Sequence, residues 1–490
     1  MTKEDGLVSA KNHWNWSPID QLAKQSCMQT AFPAQCINSH QLTQPNFLTE
    51  IRNSLASSSL PDSPASFDET GSYYFLTPSS APLTLTSQEL DVEAIRRDFP
   101  ALHQQVNGRP LIWLDNAATT QKPQSVITAV AQFYSQDNSN VHRGAHTLAK
   151  RATDAYEGAR KKVMNLIGAS SPDEIVFVRG ATEAINLVAQ SYGRRIVGPG
   201  DEIIVSILDH HANIVPWQLL CEEKDAILRV IPVNEHAELI IEEYEKLLSP
   251  KTRLIAIPHV SNSLGTVIPI KTIIDMAHSR NIPVLVDGAQ GLPHFQTNVQ
   301  DLGVDFYAFS GHKLFGPTGI GVLYGKKDLL EAMPPWQGGG NMIKDVTFEN
   351  TTFNSLPNKF EAGTGHISGA VGLGAAIDYL TNLGFSKIER YEKNLLSYAT
   401  EALGNIPKLH LVGTSTHKAG ILSFVVPGVP SERIAEFLDK QGIALRVGHH
   451  CAQPSLRSFG LESTIRPSIA FYNTFSEIEK LVWAIRKSIQ

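Results

Sequence analysis

The sequence predicts an α/β protein in which a mainly parallel sheet of seven strands is covered by helices on both faces and is followed by a smaller α+β domain. Three observations lead to this fold class. Short, β-rich runs lie between residues 174 and 324, and amphipathic helical stretches separate most of them. The runs are almost continuously apolar, which is typical of strands buried on both faces. Beyond about residue 370 the pattern changes to longer helices and fewer strands.

The predicted strands mark where functional residues are expected. The strands are predicted at Glu174–Val178, Glu202–Ser206, Leu228–Val233, Leu254–Val260, Val284–Val286, Phe306–Phe309 and Ile320–Tyr324. Helical periodicity is clearest at Ala152–Ile167 and Ile241–Leu248. In a sheet of this kind ligands bind beyond the carboxyl ends of the strands, so chemistry-bearing side chains are expected where the runs end.

The C-terminal part is expected to form a smaller domain that closes over the large one. It contains helical patterns and strand-like runs at Val371–Leu383, Ile388–Leu403, Ile421–Val426, Ala444–Val447 and Ile469–Phe471. We therefore divide the body of the chain into a large domain over residues 116–369 and a small domain over residues 370–490. Residues 89–115 are expected to pack with the small domain.

Residues 1–88 differ in composition from the rest of the chain. Ser, Thr, Pro, Gln and Asn dominate, so this extension has little apolar surface to offset its ordering entropy, and we expect it to be largely disordered. Leu48, Ile51 and Leu55 nevertheless follow helical spacing. The extension is interpreted either as a linker with incidental hydrophobic residues or as a docking peptide that folds on a partner. A single arginine, Arg52, and several acids do not fit a transit peptide.

Composition and charge exclude several function classes. The 490-residue chain is 42% hydrophobic and 18% charged, and its net charge of −6 gives no basis for binding nucleic acid or an anionic membrane. It has no run of about 18 apolar residues and no secretory leader pattern, so neither membrane insertion nor export is expected. Its four cysteines, Cys27, Cys36, Cys221 and Cys451, form no CxxC pair. A disulfide framework or a structural zinc site is therefore not expected, and a cytoplasmic location fits.

An acid and a lysine follow two of the predicted strands. Asp287 comes directly after Val284–Val286, and Lys313 comes after Phe306–Phe309 and a Ser-Gly-His sequence. This pair suits pyridoxal 5'-phosphate, because the lysine amine holds the cofactor as a Schiff base and the carboxylate keeps its pyridine nitrogen protonated. Alone, the acid is often a helix cap and the lysine is often solvated. Together, in this order and context, they favour the cofactor site.

The cofactor phosphate is expected at a turn between a strand and the helix that follows it. A helix that starts at Ala181 and Thr182, after Gly180, offers free N–H groups and the positive end of its dipole to an anion. Thr182 adds a hydroxyl group, and Ser310 and His312 reach the same place from the lysine strand. Taken alone, the segment would be interpreted as a tight turn without a ligand.

His210, Asn262 and Gln290 complete the predicted cofactor site. The flat imidazole of His210 can stack on a pyridine ring and move protons. Asn262 closes another strand, and it can hydrogen-bond the phenolic oxygen of the ring together with Gln290. The adjacent histidines His210 and His211 raise the alternative of a metal site. They project in different directions and no third ligand follows at suitable spacing, so no metal is expected.

The candidate nucleophile is a cysteine in a polar loop. Cys451 follows two histidines and lies between a predicted strand and a helix, with Arg446 and Arg466 expected nearby. Positive neighbours favour the thiolate, which is the reactive form of cysteine. A lone cysteine is more often an inert small hydrophobe, and Cys221, beside two leucines, is assigned to the core.

These motifs together resemble those of the group II, SUF-type cysteine desulfurases, which belong to the class V aminotransferase superfamily. The resemblance extends from Val92 to Gln490 and implies the fold-type I architecture of aspartate-aminotransferase-like enzymes. The matching stretches are Leu-Asp-Asn-Ala-Ala (114–118), Gln-Lys-Pro (121–123), Val-His-Arg-Gly (141–144), Asp-His-His-Ala-Asn-Ile-Val-Pro-Trp (209–217), Val-Asp-Gly-Ala-Gln (286–290), Ser-Gly-His-Lys (310–313), Phe-Glu-Ala-Gly-Thr (360–364) and Gly-His-His-Cys-Ala (448–452).

The resemblance implies that L-cysteine is converted to L-alanine and that a persulfide forms on Cys451. It supports the roles already given to the lysine, the acid and the phosphate-binding residues. It also assigns Thr364 to the phosphate bound by the second subunit of a homodimer. Arg466 is assigned to the substrate carboxylate, which its bidentate fork suits, and Arg446 and His142 are assigned to substrate binding.

Three positions depart from the family pattern. Ala181 stands where threonine is common, Gly365-His366 stands where Pro-Asn is typical, and Pro467 follows the arginine in place of a small residue. None of these changes removes a group that the chemistry requires. The alternatives are a selenocysteine lyase, another class V aminotransferase-like enzyme, and a non-enzymatic scaffold.

The N-terminal extension resembles that of cysteine desulfurases carried as cargo inside encapsulin shells. This resemblance implies that residues 1–88 dock on a shell protein and that the enzyme lies in a compartment within the cytoplasm. The sulfur would then be stored there. Otherwise it would supply iron–sulfur cluster assembly, with a SufE-like protein as its acceptor.

Overall fold

The structure, a computed structural model, describes residues 89–142 and 144–490. The predicted disorder of residues 1–88 and the predicted helix at Leu48, Ile51 and Leu55 lie outside this part. Its strands are β1 (Gln105–Val106), β2 (Arg109–Pro110), β3 (Ile112–Trp113), β4 (Ile175–Val178), β5 (Glu202–Ser206), β6 (Ile227–Ile231), β7 (Thr252–Pro258), β8 (Val284–Asp287), β9 (Phe306–Ser310), β10 (Gly321–Gly325), β11 (Ile343–Val346), β12 (Thr351–Phe353), β13 (His410–Val412), β14 (Ser423–Val425), β15 (Ile443–Ala444), β16 (Arg446–Gly448) and β17 (Thr464–Arg466).

The helices include both long amphipathic elements and single turns. They are α1 (Val92–Arg97), α2 (Gln124–Gln132), α3 (Thr147–Ile167), α4 (Ala181–Val188), α5 (Arg194–Ile196), α6 (Val215–Lys224), α7 (Ile241–Leu247), α8 (Ile270–His278), α9 (Val299–Leu302), α10 (Lys327–Ala332), α11 (Ile367–Leu383), α12 (Phe385–Gly404), α13 (Ser431–Lys440), α14 (Gln453–Arg457) and α15 (Phe475–Ser488). Within residues 89–142 and 144–490, no helix has the length and apolar character needed to cross a bilayer.

Strands β4 to β10 form one seven-stranded sheet in the order β4-β10-β9-β8-β7-β5-β6. Neighbouring strands are parallel except at β10, which is antiparallel to both β4 and β9. The predicted mainly parallel sheet is confirmed, and each predicted run overlaps one of its strands. Because β10 runs against both neighbours, β4 and β9 run in the same direction and end at the same edge of the sheet.

Side chains of the sheet point alternately into two hydrophobic clusters, which explains the almost continuous apolar runs. In β4, Ile175 and Phe177 belong to one cluster, whereas Val176 and Val178 belong to the other. Helices α3 and α11 cover the first face and α4 covers the second. Each fully buried aliphatic or aromatic side chain of this kind stabilises the fold by about 1.5–3 kcal/mol.

The C-terminal part contains a four-stranded antiparallel sheet in the order β13-β14-β17-β16. Helices α12, α13 and α15 cover it and share a third hydrophobic cluster with Ile112 and Leu114. Strand β3 also pairs in parallel with β15. Helices α11 and α12 confirm the two long helical patterns that the sequence predicted. The division into domains at residues 116 and 370 stays a prediction.

The strand predicted at Ile469–Phe471 is wrong. The strand in this part is β17, and Phe471 follows it in a turn. The ring of Phe471 packs against the rings of Phe315 and Phe99, with centroid distances of 4.6 and 6.0 Å. The apolar run therefore reflects aromatic packing rather than strand pairing. The single strand predicted at Ala444–Val447 is divided between β15 and β16.

Candidate active site

A cavity of about 200 Å³ lies at the carboxyl ends of the sheet strands, and β16 and β17 contribute to its wall. All the predicted site residues except Thr364 and His142 line this cavity: Lys313, Cys451, His210, Asp287, Gln290, Thr182, Ala181, Ser310, His312, Asn262, Arg466 and Arg446. A larger groove of about 1000 Å³ elsewhere in the described part of the chain contains none of them.

Asp287 and Lys313 enter the cavity from neighbouring strands. Asp287 is the last residue of β8, and its Oδ1 accepts a hydrogen bond from the N–H of Ala289 at 3.0 Å. Burial raises the pKa of Asp287, against the opposing effects of that N–H and of Lys313. Burial likewise lowers the pKa of Lys313 to about 8, against the effect of Asp287. The amine is therefore available as a neutral nucleophile near pH 8, and a pyridinium would supply the cationic partner that the buried acid lacks.

The β4–α4 turn is shaped to receive an anion. Helix α4 begins at Ala181, and Gly180 precedes it without a side chain that could cap the helix. The N–H of Ala181 donates to Oγ of Ser310 at 2.8 Å, and a Cβ on Gly180 would lie 3.2 Å from that same oxygen. This close approach joins the ends of β4 and β9. The hydroxyl groups of Thr182 and Ser310 and the positive end of α4 are suited to a phosphate.

His210 and His312 line the cavity as neutral rings. Nδ1 of His210 accepts a hydrogen bond from the N–H of Ala212 at 3.0 Å, which places the ring proton on Nε2. Burial, followed by the charge of Lys313, lowers the pKa of His210 to about 3. The same two causes and Lys122 lower the pKa of His312 to about 4. His210 can therefore offer an Nε2–H donor without adding charge to the cavity.

Asn262 and Gln290 are held by main-chain carbonyl groups. Nδ2 of Asn262 donates to the carbonyl oxygen of His450 at 2.6 Å, and Nε2 of Gln290 donates to that of Ala117 at 2.6 Å. Oδ1 of Asn262 is buried and has no hydrogen-bond partner among the described residues. A buried polar atom without a partner is costly, so this oxygen indicates where a ligand would donate.

Asp115 is a residue of this site that sequence reasoning missed. Its Oδ1 lies 3.1 Å from Nη2 of Arg466, and its Oδ2 lies 3.1 Å from Nη2 of Arg446. Nη1 of Arg466 donates to the carbonyl oxygen of Asn262 at 2.8 Å. Nε of Arg466 is buried and has no partner in the described part of the chain. The Nε and Nη2 groups form one edge of the guanidinium fork, which is the edge that a carboxylate can bind.

The pKa of Arg466 depends on Asp115. Arg466 is only 2% exposed, and burial lowers its pKa to about 10, whereas Asp115 raises it. The sequence signal for Asp115 is the Leu-Asp-Asn-Ala-Ala motif, which indicates the family but not a role for the acid. No spacing rule connects it to Arg446 and Arg466, which lie 331 and 351 residues away.

Cys451 lies in an exposed loop between β16 and α14. Its N–H donates to Nδ1 of His449 at 3.1 Å, and its carbonyl oxygen accepts from the N–H of His211 at 2.8 Å. His450 and Cys451 have φ angles of 54° and 55°, which are uncommon for residues other than glycine. The main chain is therefore fixed in a strained turn while the thiol remains accessible beside the cavity. Cys221 is buried, as predicted.

His142 and Thr364 line a separate pocket of about 170 Å³. Nδ2 of Asn140 donates to Oγ1 of Thr364 at 3.2 Å, and Nε2 of His142 lies 2.8 Å from Oε1 of Glu157. Burial would raise the pKa of Glu157, but hydrogen bonds from His142 and Arg160 lower it to about 2. The structure does not bring His142 or Thr364 to Lys313 within one chain, so their predicted roles stay predictions.

Comparisons with known proteins cover most of the chain. Residues 112–481 match the family described as aminotransferase class-V. A cysteine desulfurase from Synechococcus elongatus is 55% identical over 418 residues, which cover 84% of this chain and 67% of that protein. A probable cysteine desulfurase from Vibrio cholerae is 49% identical over 82% of this chain and 99% of its own length. The chain spans only 62% and 65% of two longer mycobacterial relatives.

Solved structures show the same fold. The cysteine desulfurase CsdA from Escherichia coli superposes with a TM-score of 0.76 at 42% identity, over 82% of this chain and 98% of that one. The cysteine desulfurase from Thermococcus onnurineus gives 0.78 at 35% identity, over 82% and 99%. Enzymes of this family use pyridoxal phosphate, which the acid, the lysine and the α4 turn of the cavity fit. The chain belongs to the aminotransferase class-V family and, within it, to the cysteine desulfurases.

Proposed function

We propose that this protein is a group II cysteine desulfurase that converts L-cysteine to L-alanine and holds the removed sulfur as a persulfide on Cys451. One observation carries the proposal: Lys313, Arg466 and Cys451 line the same cavity. An amine that can move a proton, a cation that can hold a carboxylate and an accessible thiol are the three groups that the reaction requires.

Arg466 and its partners orient the substrate. The Nε group of Arg466, which has no partner in the described part of the chain, is suited to the cysteine carboxylate, while Asp115 and the carbonyl oxygen of Asn262 fix the guanidinium plane. The Asp115 carboxylate offsets one of the two arginine charges, so this group of three residues keeps one positive charge that attracts a carboxylate. Binding at this position leaves the substrate side chain to extend toward Cys451.

Lys313 and Cys451 act on opposite ends of the bound cysteine. When bound, pyridoxal phosphate accepts the electron pair released at Cα. The neutral amine of Lys313 takes the Cα proton, which its pKa of about 8 allows. The thiolate of Cys451 attacks the substrate sulfur, so that an S–S bond forms as the Cβ–S bond breaks. The electron pair of the broken bond stays with Cβ, which takes up a proton. Lys313 then returns a proton to Cα, and the two protonations complete alanine.

The test is alanine release from L-cysteine by purified variants. Lys313→Ala and Cys451→Ser are both expected to abolish turnover, and Cys451→Ser should keep the visible absorbance of bound cofactor. Cys221→Ala is the matched control, because that thiol is buried away from the cavity. Near-normal turnover by either active-site variant would contradict the proposal. Loss of cysteine turnover with retained selenocysteine turnover in Cys451→Ser would favour a selenocysteine lyase.

We further propose a homodimer in which Thr364 of a second subunit completes the phosphate site. Within one chain Thr364 lies in a separate pocket with Asn140 and Tyr156, away from the cavity that contains Lys313. Its side chain is exposed, so a second subunit could bring this residue to a phosphate.

We propose that residues 1–88 dock on an encapsulin shell and that the sulfur is stored there, or otherwise passes to iron–sulfur assembly through a SufE-like acceptor in the cytoplasm. The polar composition of this extension and the helical spacing of Leu48, Ile51 and Leu55 support the proposal. Deletion of residues 1–88 is expected to leave alanine release unchanged and to abolish co-purification with the shell protein. Encapsulation of the truncated enzyme would refute the docking role.

A further inference from the structure

Lys122 carries a charge that the site described above does not use. It precedes α2 and is half-buried. Its Nζ donates to the carbonyl oxygen of His312 at 2.9 Å and to that of Thr120 at 2.5 Å. No carboxylate of the described residues forms an ion pair with it, and burial lowers its pKa to about 7. An ammonium group in this environment is costly when charged.

The carbonyl oxygen of His312 does not need this lysine to satisfy its hydrogen bonds. It also accepts from the N–H of Thr120, from Oγ1 of Thr120 and from Oγ1 of Thr119, each at 3.1 Å. A carbonyl oxygen has two lone pairs, so these donors are already sufficient. Lys122 also donates to the carbonyl oxygen of Thr120, so it joins two main-chain segments, one of which leads directly into Lys313.

The carbonyl group of His312 belongs to the peptide that joins His312 to Lys313. We propose that Lys122 is a positioning residue that fixes this peptide, so that the Lys313 amine and the His312 ring are held in place before the cofactor arrives. The peptide lies in the single turn Gly311–Lys313, which follows β9 directly. A cation at the carbonyl end of such a turn also interacts favourably with its dipole.

This inference rests on attachment of pyridoxal phosphate at Lys313, as in the proposed function, but not on the sulfur chemistry. Cofactor affinity is therefore the quantity to measure. A group that positions the attachment point changes affinity for the cofactor, whereas a group that merely supports the fold changes the stability of the cofactor-free protein. The two readouts separate these roles.

The experiment uses the full-length enzyme and its Lys122→Met and Lys122→Arg variants, with Lys271→Met as the control. Lys271 is an exposed lysine on α8 that is paired with Asp275. The dissociation constant of pyridoxal phosphate and the thermal midpoint of the cofactor-depleted protein are measured for each. Lys122→Met is expected to raise the dissociation constant roughly tenfold, which is the effect of one charge-assisted hydrogen bond. Its cofactor-depleted midpoint should be unchanged, because removal of a half-buried charge offsets the hydrogen bond lost at the carbonyl oxygen of Thr120.

The other variants complete the test. Lys122→Arg keeps the cation and is expected to bind the cofactor more tightly than Lys122→Met, and Lys271→Met should match the wild type. An unchanged dissociation constant in Lys122→Met would overturn the inference. A lower cofactor-depleted midpoint, or failure of that variant to fold, would overturn it as well, since both indicate a structural role. A wild-type holoenzyme that releases no alanine would refute only the proposed function.

Discussion

Asp115 is the residue through which two arginines of the cavity share one negative charge. Removing a carboxylate that binds two guanidinium groups leaves both of these groups less firmly oriented. It also leaves the buried positive charge of Arg466 without its negative partner. Breaking one partner of a buried ion pair is strongly unfavourable, because the other partner remains buried. The effect should be on Arg466, which is proposed to bind the substrate, rather than on Lys313 and Cys451, which are proposed to react.

Asp115→Asn is therefore expected to raise KM for L-cysteine roughly tenfold, with a smaller change in kcat. Asp115 raises the pKa of Arg466, so its loss should lower that pKa further below about 10. KM of the variant should then rise as the pH is increased, more steeply than in the wild type. Steady-state kinetics across a pH series measures both effects. Glu462→Gln, which removes an exposed partner of Arg457, is the control, and equal KM values in both variants would contradict the role of Asp115.

Lys313 gives a second prediction at this scale. Burial lowers the pKa of its amine to about 8, so the neutral, nucleophilic fraction grows as the pH rises through that value. The rate at which the cofactor-depleted enzyme incorporates pyridoxal phosphate should increase accordingly. Asp287 raises this pKa, so Asp287→Asn should move the midpoint to lower pH. Stopped-flow absorbance measures the rate, and a profile that is flat between about pH 7 and 9 would contradict the pKa shift.

The sequence allowed Lys313 and Asp287 to be proposed as a pair because each of them follows a recognisable strand. Lys313 and Asp287 follow apolar runs, and the parallel sheet brings such ends together. Roles for Asp115 and Lys122 could not be predicted from the sequence, because only the tertiary fold brings each of them to its partners. Asp115 pairs with arginines that lie hundreds of residues away, and Lys122 binds main-chain oxygens that have no side-chain signature.

At the scale of elements, the antiparallel strand β10 sets the distance between the phosphate turn and the lysine strand. It lies between β4 and β9, and Gly321 lies at its start. A Cβ on Gly321 would lie 2.4 Å from Cα of Gly180 and 2.6 Å from the carbonyl oxygen of Phe309. Both of these contacts are with main-chain atoms, which cannot rotate away. Glycine is therefore required for β10 to approach the turn that precedes α4.

Gly321→Ala is expected to destabilise the protein by about 1–3 kcal/mol, as overpacking of a core does, and to weaken cofactor binding by displacing the phosphate turn. The matched control is Gly158→Ala in helix α3, where an added Cβ meets no atom within 4 Å. That change should leave cofactor binding intact and stabilise the protein by up to about 1 kcal/mol. Chemical denaturation with cofactor titration measures both quantities, and equal stabilities of the two variants would contradict the steric argument.

The strands were predicted correctly from the sequence where an apolar run is also hydrogen-bonded to a neighbouring strand. Most strands of the sheet were predicted because they are buried on both faces, and the partly exposed edge strand β6 was predicted because its sequence is apolar all the same. The failure at Ile469–Phe471 has a physical cause, since a run buried by aromatic packing has the same hydrophobicity as a buried strand. The antiparallel direction of β10 could not be predicted either, because hydrophobicity contains no information about strand direction.

At the scale of the whole molecule, the proposed dimer leads to a complementation test. Lys313→Ala and Thr364→Ala should each impair the pure homodimer. If Thr364 serves the site of the other subunit, a mixed dimer contains one intact site, and a random mixture should regain about a quarter of wild-type alanine release. Mixing Lys313→Ala with Cys451→Ser should restore nothing, because those residues line one cavity of one chain. Recovery in the second mixture, or none in the first, would contradict this arrangement.

The ion pair between Asp115 and Arg466 joins residues that are 351 positions apart. On the ribosome, Arg466 is therefore made long after Asp115, and strand β17 and the loop of Cys451 also come late in synthesis. The nascent chain exposes the partly built sheet, including β4 before its partner β10 exists, for most of that time. We expect the vitamin-derived cofactor to be captured only after β17 has been made, so a lack of the vitamin would leave chains that have all the site residues but no cofactor.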